Sequence, residues 1–188
     1  SETGADDVNI DNEGAGREAA RVFLANGLTA LGFAGTVSRT PTTVERENGF
    51  CQEAAAHGAT VIMGHGGNSD YAGGQEAARQ LFAGSEHPQA VFCVNDLVAF
   101  GLIDHVRRHT SLRIPEDLSV IGFDDIPEAA WETYNLTTFR QDPAVMAAHA
   151  VALLDQRQAE PDCPPMHDRL NTHIVVRGSA RIPHSFKP

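Results

Sequence analysis

The stretch that most constrains the fold runs from Ala90 to Asp125, AVFCVNDLVAFGLIDHVRRHTSLRIPEDLSVIGFDD. Two near-continuous apolar runs, Ala90–Val94 and Leu118–Phe123, flank a segment with a helical apolar stripe, Leu97–Arg108. Strands that carry apolar residues at successive positions must be covered on both faces, which is the situation of parallel strands in an α/β sheet. The unit therefore reads as βαβ with a right-handed crossover. Ligands of open parallel sheets sit beyond the carboxyl ends of the strands, so Asn95, Asp96, Asp124 and Asp125 are predicted to share one rim.

The remaining chain repeats the alternation. A short strand at Val8–Ile10 leads to a helix at Gly16–Asn26, with Gly27 where a C-terminal cap belongs. Leu28–Ala34 reads as a strand, and the Ser-, Thr-, Gly- and Pro-rich GTVSRTPTT after it reads as a loop bordering a site. Val44–Ala56 is predicted helical, Ala59–Met63 a strand, GHGGNSDY a loop and Ala72–Ala83 a helix. After Asp125 come a helical turn, a short strand at Leu136–Phe139, and a helix opened by Asp142-Pro143 that runs to about Arg157. QAEPDCPPMHD reads as a loop, His173–Val176 as a last strand, and residues 181–188 as a polar tail. This order predicts an α/β fold with a mostly parallel sheet.

Composition narrows the function classes. At 188 residues and 41% apolar, the chain can fill one large domain or two small ones. Fourteen Lys and Arg against 25 Asp and Glu give a net charge of −11, with no basic run to follow a phosphate backbone, so this segment alone is not predicted to hold nucleic acid. The odd set Cys51, Cys93 and Cys163 has no CxxC spacing and reads as reduced thiols of a cytoplasmic protein. No apolar run reaches the roughly 18 residues of a membrane span, and SETGADDVNI lacks the pattern of a signal peptide. The sequence opens without Met, which leaves room for an upstream leader or domain.

Enzyme and cofactor signatures are weak. GHGGNSDY lacks the GxxxxGK[ST] pattern, GFAGT is not GxGxxG, and no serine stands in a GxSxG elbow, so no cofactor and no catalytic residue is expected. His105 and His109 have the i, i+4 spacing of a metal pair but no glutamate in the HExxH position and no evident third ligand, so no metal is expected there.

From NDLVAFG through IPEDLSVIGFDD to LTTFRQ and the long helix after it, the chain resembles the effector-binding core of the lactose/galactose repressor (LacI/GalR) family of bacterial transcription regulators. The likeness extends upstream through IDNEGAGREAARVFLANG and RENGF and downstream into HIVVRGSA, covering about Val8 to Ala180. It implies a type I periplasmic-binding-protein-like architecture: two Rossmann-like lobes with ligand between them. Residues 28–140 and 172–180 would then form the C-terminal lobe, and residues 1–27 and 141–171 fragments of an incomplete N-terminal lobe. The helix-turn-helix, hinge helix and first strands of the family are not in this sequence. Leu28 stands where the family commonly has His, Tyr134-Asn135 where it has Pro-Pro, and Gly, Asn and Ser where it often has an aromatic before the Ala72 helix.

The resemblance implies that Arg46, Asn95, Asp124 and Gln141 face the effector, a sugar in preference to a nucleobase, in a homodimer that reaches DNA only through an absent N-terminal domain. It implies no enzymatic activity. A periplasmic solute-binding protein of a transporter, with the same fold, is the alternative. The chemistry suits a polyol, because a forked guanidinium, two amides and a carboxylate supply matched donors and acceptors. Structural roles compete at each position. Arg46 could be a solvated helix residue paired with Glu45 or Glu47. Asn95-Asp96 could cap the following helix, with Asp96 as the cap and Asn95 toward the cleft. Asp124 and Asp125, as strand neighbours, should point apart, with Asp125 supporting the loop or capping the turn at Ile126-Pro127.

Overall fold

The computed structural model describes residues 5–183. Its centre is a six-stranded sheet in the order β3-β2-β4-β5-β6-β8, formed by β2 (Ala30–Thr36), β3 (Thr60–Gly66), β4 (Ala90–Cys93), β5 (Ser119–Asp124), β6 (Thr137–Arg140) and β8 (His173–Val175). The first five strands run parallel, and β8 closes the edge antiparallel to β6. A separate parallel pair joins β1 (Asp7–Ile10) to β7 (His167–Leu170).

Strand parity decides which helices cover which face. Phe33 and Phe92 are register partners and project to one face, where they meet Phe50 of α2 (Pro41–Ala56); Phe50 in turn meets Phe23 of α1 (Asn12–Ala25). Gly64 has the opposite parity, and a Cβ there would lie 2.5 Å from the Ala77 carbonyl of α3 (Tyr71–Leu81). Helix α3 packs with α4 (Asp96–His109), so each face carries one helix pair. The α1/α2 face holds a row of buried rings, Phe23, Phe50, Phe33, Phe92, Phe139 and Phe123.

The α1/α2 crossing is unusually close. A Cβ on Gly49 would fall 2.1 Å from the Glu13 carbonyl oxygen, and one on Gly16 would fall 2.2 Å from the Arg46 carbonyl oxygen. Helix α1 thus belongs to the body built on the six-stranded sheet. The expected division at residue 27, which groups this helix with the smaller lobe, is corrected: its Ala15, Ala19, Ala20 and Phe23 are buried in the same core as the sheet.

Several element bounds also differ from the sequence reading. Asp11 caps α1 by accepting from the Gly14 N–H, so the helix starts before Gly16. Thr40 caps α2 with Pro41 in its first turn, which shortens the expected loop after β2 to residues 37–40. Strand β3 runs on through His65 and Gly66, into the stretch read as a loop. Strand β7, read as loop, lacks an apolar pattern and is bound to β1 by charge: Asp7 pairs with His167 and with Arg169 at 2.7 Å. Of the expected tail, residues 184–188 lie outside the described residues.

Helix α5 (Pro143–Ala159) packs lightly beside β1 and has no buried residue; Val145, Val151 and Leu154 are exposed. Its attachments are largely polar, Arg157 to Asp6 at 2.6 Å and His149 to Asp168 at 2.5 Å. Helix α5, β1 and β7 form a small unit beside the large one.

Candidate functional site

The carboxyl ends of β4, β5 and β6 carry Asn95, Asp124 and Gln141, and α2 brings Arg46 to the same rim. Arg46 is only 7% exposed. Its Nε donates to Asn12 Oδ1 at 2.8 Å, its Nη1 donates to the Val94 carbonyl at 2.7 Å, and the guanidinium lies 3.5 Å above the Phe123 ring. The solvated pairing with Glu45 or Glu47 does not occur. Glu45 accepts from Asn12, and Glu47 from Arg39 and faces His65. Burial pulls the guanidinium down to about 10, against the opposing charges of Asp124, Glu45 and Asp96.

Asp124 leaves β5 with φ of 119° and Asp125 follows at 56°, both in the left-handed region that non-glycine residues rarely adopt. Gln141 Nε2 donates to Asp124 Oδ1 at 2.5 Å. Burial raises the Asp124 carboxyl above its usual range, opposed by Arg46 and by that hydrogen bond. Asp125 has different partners: Arg177 at 2.6 Å and Arg140 at 2.5 Å close on its two oxygens. Burial acts to raise its carboxyl as well, but the two arginines outweigh it and hold the group below the usual range.

The cap expected of Asp96 is taken by Asn95. Asn95 is extended (φ −155°, ψ 175°) and caps α4, its Oδ1 accepting from the Val98 N–H at 2.9 Å; its Nδ2 donates to the Ser69 carbonyl at 3.0 Å. Asp96 already lies in the first helical turn and cannot take the cap. Its side chain is buried on the α4 face, accepting from Thr138 Oγ1 at 2.6 Å and from the Ile126 N–H at 3.0 Å. Asp96, and not Asp125, therefore holds the turn at Ile126-Pro127.

Arg46, Asp124 and Gln141 are thus brought together, while Asn95 stands on the next strand and is partly engaged by its own helix. A model of the periplasmic binding protein-like domain matches residues 9–180. The chain belongs to that family, and its relatives are of the LacI type. It is 31% identical over 182 residues to the HTH-type transcriptional repressor PurR of Photobacterium profundum, covering 94% of this chain and 53% of that protein. It is likewise 31% identical over 181 residues to the ribose operon repressor of Escherichia coli, covering 94% of this chain and 54% of that one. Among solved structures, the transcriptional regulator CelR in complex with cellobiose superposes with a TM-score of 0.83 at 28% identity, over 95% of this chain and 55% of that one. The chain spans about half the length of the curated relatives it matches.

In this periplasmic binding protein-like domain, the sequence reading missed the residues that support the rim. Asn12 is buried, donates to the Ile10 carbonyl and Glu45, and orients the Arg46 guanidinium. Phe123 supplies the floor beneath that guanidinium, and Ser69 joins Thr36 Oγ1 (3.3 Å) to Asn95. Asn12 stands inside IDNEG, but nothing local in the sequence links it to a residue 34 positions on. The His105 and His109 ring centroids lie 4.6 Å apart with the planes tilted by 37°, and among the described residues no group of three or more His, Cys, Asp or Glu is placed to hold a metal. All three cysteines are free. No helix among the described residues is long and apolar enough to cross a membrane.

Proposed function

We propose that the domain is the effector-binding half of a LacI-type transcription regulator, taking a small sugar on the rim formed by Arg46, Asn95, Asp124 and Gln141. The observation that carries this reading is the buried Arg46 beside the Asp124–Gln141 pair. A guanidinium fixed by Asn12, the Val94 carbonyl and the Phe123 ring keeps Nη2 for a ligand, while Asp124 keeps Oδ2 and Gln141 keeps Oε1. Neighbouring hydroxyls of a polyol can donate to the carboxylate and accept from the guanidinium at once, which is strong, directional recognition. A nucleobase fits less well, because the described rim offers no exposed aromatic platform where Ser69 stands.

The larger lobe would comprise α1, residues 28–140 and 172–180, and the unit of β1, β7 and α5 would be the facing lobe. A cavity of about 140 Å³ bounded by Ile10, Arg140, Asp142, Leu170 and Asn171 lies where the two meet, next to Gln141 in sequence. Effector binding that prefers one relative position of the lobes would shift their equilibrium and so the spacing of DNA-reading modules supplied from outside this chain. That whole-protein role, in the cytoplasm and without enzymatic turnover, follows from the likeness to repressors. The same likeness favours regulation over transport.

Homodimerisation is part of the reading. Trp131 is 56% exposed and Leu97 43% exposed, and each stands three residues from a member of the Phe100–Tyr134 stack (4.0 Å). Large exposed apolar side chains grouped around a rigid stack suit a contact between copies.

The test is a thermal-shift panel of pentoses, hexoses, disaccharides, polyols and nucleosides, because a ligand that binds only the folded form raises Tm. A sugar hit that is lost in Arg46→Ala supports the proposal. A nucleoside hit, or a sugar hit indifferent to Arg46, contradicts it.

A further inference from the structure

Asp96 is a buried carboxylate that the effector reading leaves without a task. It joins three elements: it sits in the first turn of α4, accepts from Thr138 of β6, and accepts from the Ile126 N–H just after the two left-handed residues that end β5. Gly122 of β5 lies against it, so close that a Cβ there would be 2.3 Å from Asp96 Oδ1. The backbone that aims Asp124 is thus stapled by one carboxylate, and a strained turn persists only where its surroundings over-determine it.

The groups facing Asp96 are few. Asp124 and Asp125 lie at the exit of β5, the latter neutralised by Arg140 and Arg177. Arg46 acts on it from the other face of the sheet, and the buried Cys93 thiol of β4, which burial holds well above its usual range, stays neutral. Burial lifts the Asp96 carboxyl to about 7 against the bonds from Thr138 and Ile126, and the charges of Asp124 and Asp125 add to the rise. The neutral acid also fits its surroundings. The Thr138 hydroxyl can turn from donor to acceptor and accept a hydrogen bond from the protonated carboxyl, while the Ile126 N–H still reaches the second oxygen.

We propose that Asp96 is a proton-exchanging staple of the effector rim, coupled through charge to Asp124, so that any ligand that changes the charge environment of Asp124 moves a proton at Asp96. With Asp96 neutral, Arg46 and Asp124 balance on the rim; with Asp96 ionised, the rim carries one further negative charge. Coupling is reciprocal, so proton occupancy at Asp96 must alter affinity at Asp124 by the same factor. The inference rests on the effector reading for its meaning, but its test needs no effector, so the two can fail separately.

The experiment is a ¹³C carboxyl titration by NMR of the chain as it is. The Asp96 resonance is expected to titrate near neutral pH, to move to lower pH in Asp124→Asn, and to move to higher pH in Thr138→Val, which removes a donor to the ionised form. Asparagine tolerates the left-handed conformation at 124, so the first variant keeps the turn. Titration of Asp96 below about pH 5, or a midpoint unmoved by Asp124→Asn, overturns the proposal. Urea unfolding gives a second, independent readout. A carboxyl raised by folding lets the folded state bind more protons than the unfolded one, so Asp96 contributes stability that is present below the unfolded value near 4 and is lost as pH rises to about 7. Asp96→Asn, which mimics the neutral acid, is expected to lose less stability than wild type over that range; equal losses in the two chains would contradict the assignment.

Discussion

The α1/α2 crossing decides how Arg46 is held, and Gly49→Ala tests it with a sign that separates two accounts. In a helix interior with open space, alanine in place of glycine is worth about 1 kcal/mol of extra stability. Here the new methyl would stand 2.1 Å from the Glu13 carbonyl oxygen, where ordinary contact needs more than about 3 Å. The helices must separate by about an ångström, and overpacking of this kind costs about 1–3 kcal/mol or somewhat more where backbone has to move. Glu13 adjoins Asn12, so the same displacement strains the 2.8 Å bond from Arg46 Nε to Asn12 Oδ1, and a buried donor that loses its partner costs about 1–3 kcal/mol further. After the propensity gain is subtracted, the net expectation is a loss of roughly 1–5 kcal/mol, or about 2–20 °C in Tm for a chain of this size. Urea unfolding at fixed pH and a thermal scan both read this directly. A variant as stable as wild type, or more stable, would refute the close crossing and with it the account of how Arg46 is positioned.

Two further outcomes follow from the same geometry. The Asp125 side chain is 4% exposed between Arg177 and Arg140, so Asp125→Asn is expected to lower stability at neutral pH by about 2 kcal/mol. Because folding depresses this carboxyl, its contribution is present above the unfolded value near 4 and is lost as pH falls through the lower folded value; an acid-unfolding profile unchanged by the substitution would contradict the pairing. Trp131→Ser is expected to weaken self-association by about thirtyfold in sedimentation velocity, the effect of removing one aromatic anchor worth about 2 kcal/mol, and an unchanged association constant would remove Trp131 from the contact.

The parallel sheet was legible in the sequence because β4 and β5 are buried on both faces, and only parallel strands need such runs. The rim was legible for the same reason: a polar residue at the end of an apolar strand has one place to be. Helix α1 was misplaced because an amphipathic stripe shows that a helix packs but not on what; Gly16 and Gly49 decide the partner, and their meaning depends on a crossing between distant segments. Strand β7 was missed because HDRL is held by ion pairs to Asp7 and carries no period. The cap was read at Asp96 and found at Asn95 because the register of a helix start is uncertain by a residue, and one residue separates a cap from a buried staple.

The central claim is that Asp124, set on a strained turn and flanked by Gln141 and Arg46, binds the effector. Calorimetric titration of the sugar found by the panel into wild type and Asp124→Ala measures this most directly. Loss of charge-assisted bonds to two hydroxyls is worth roughly 3 kcal/mol, so the account predicts a Kd weakened by about a hundredfold or more with the fold retained. A Kd unchanged in a folded Asp124→Ala chain would contradict it.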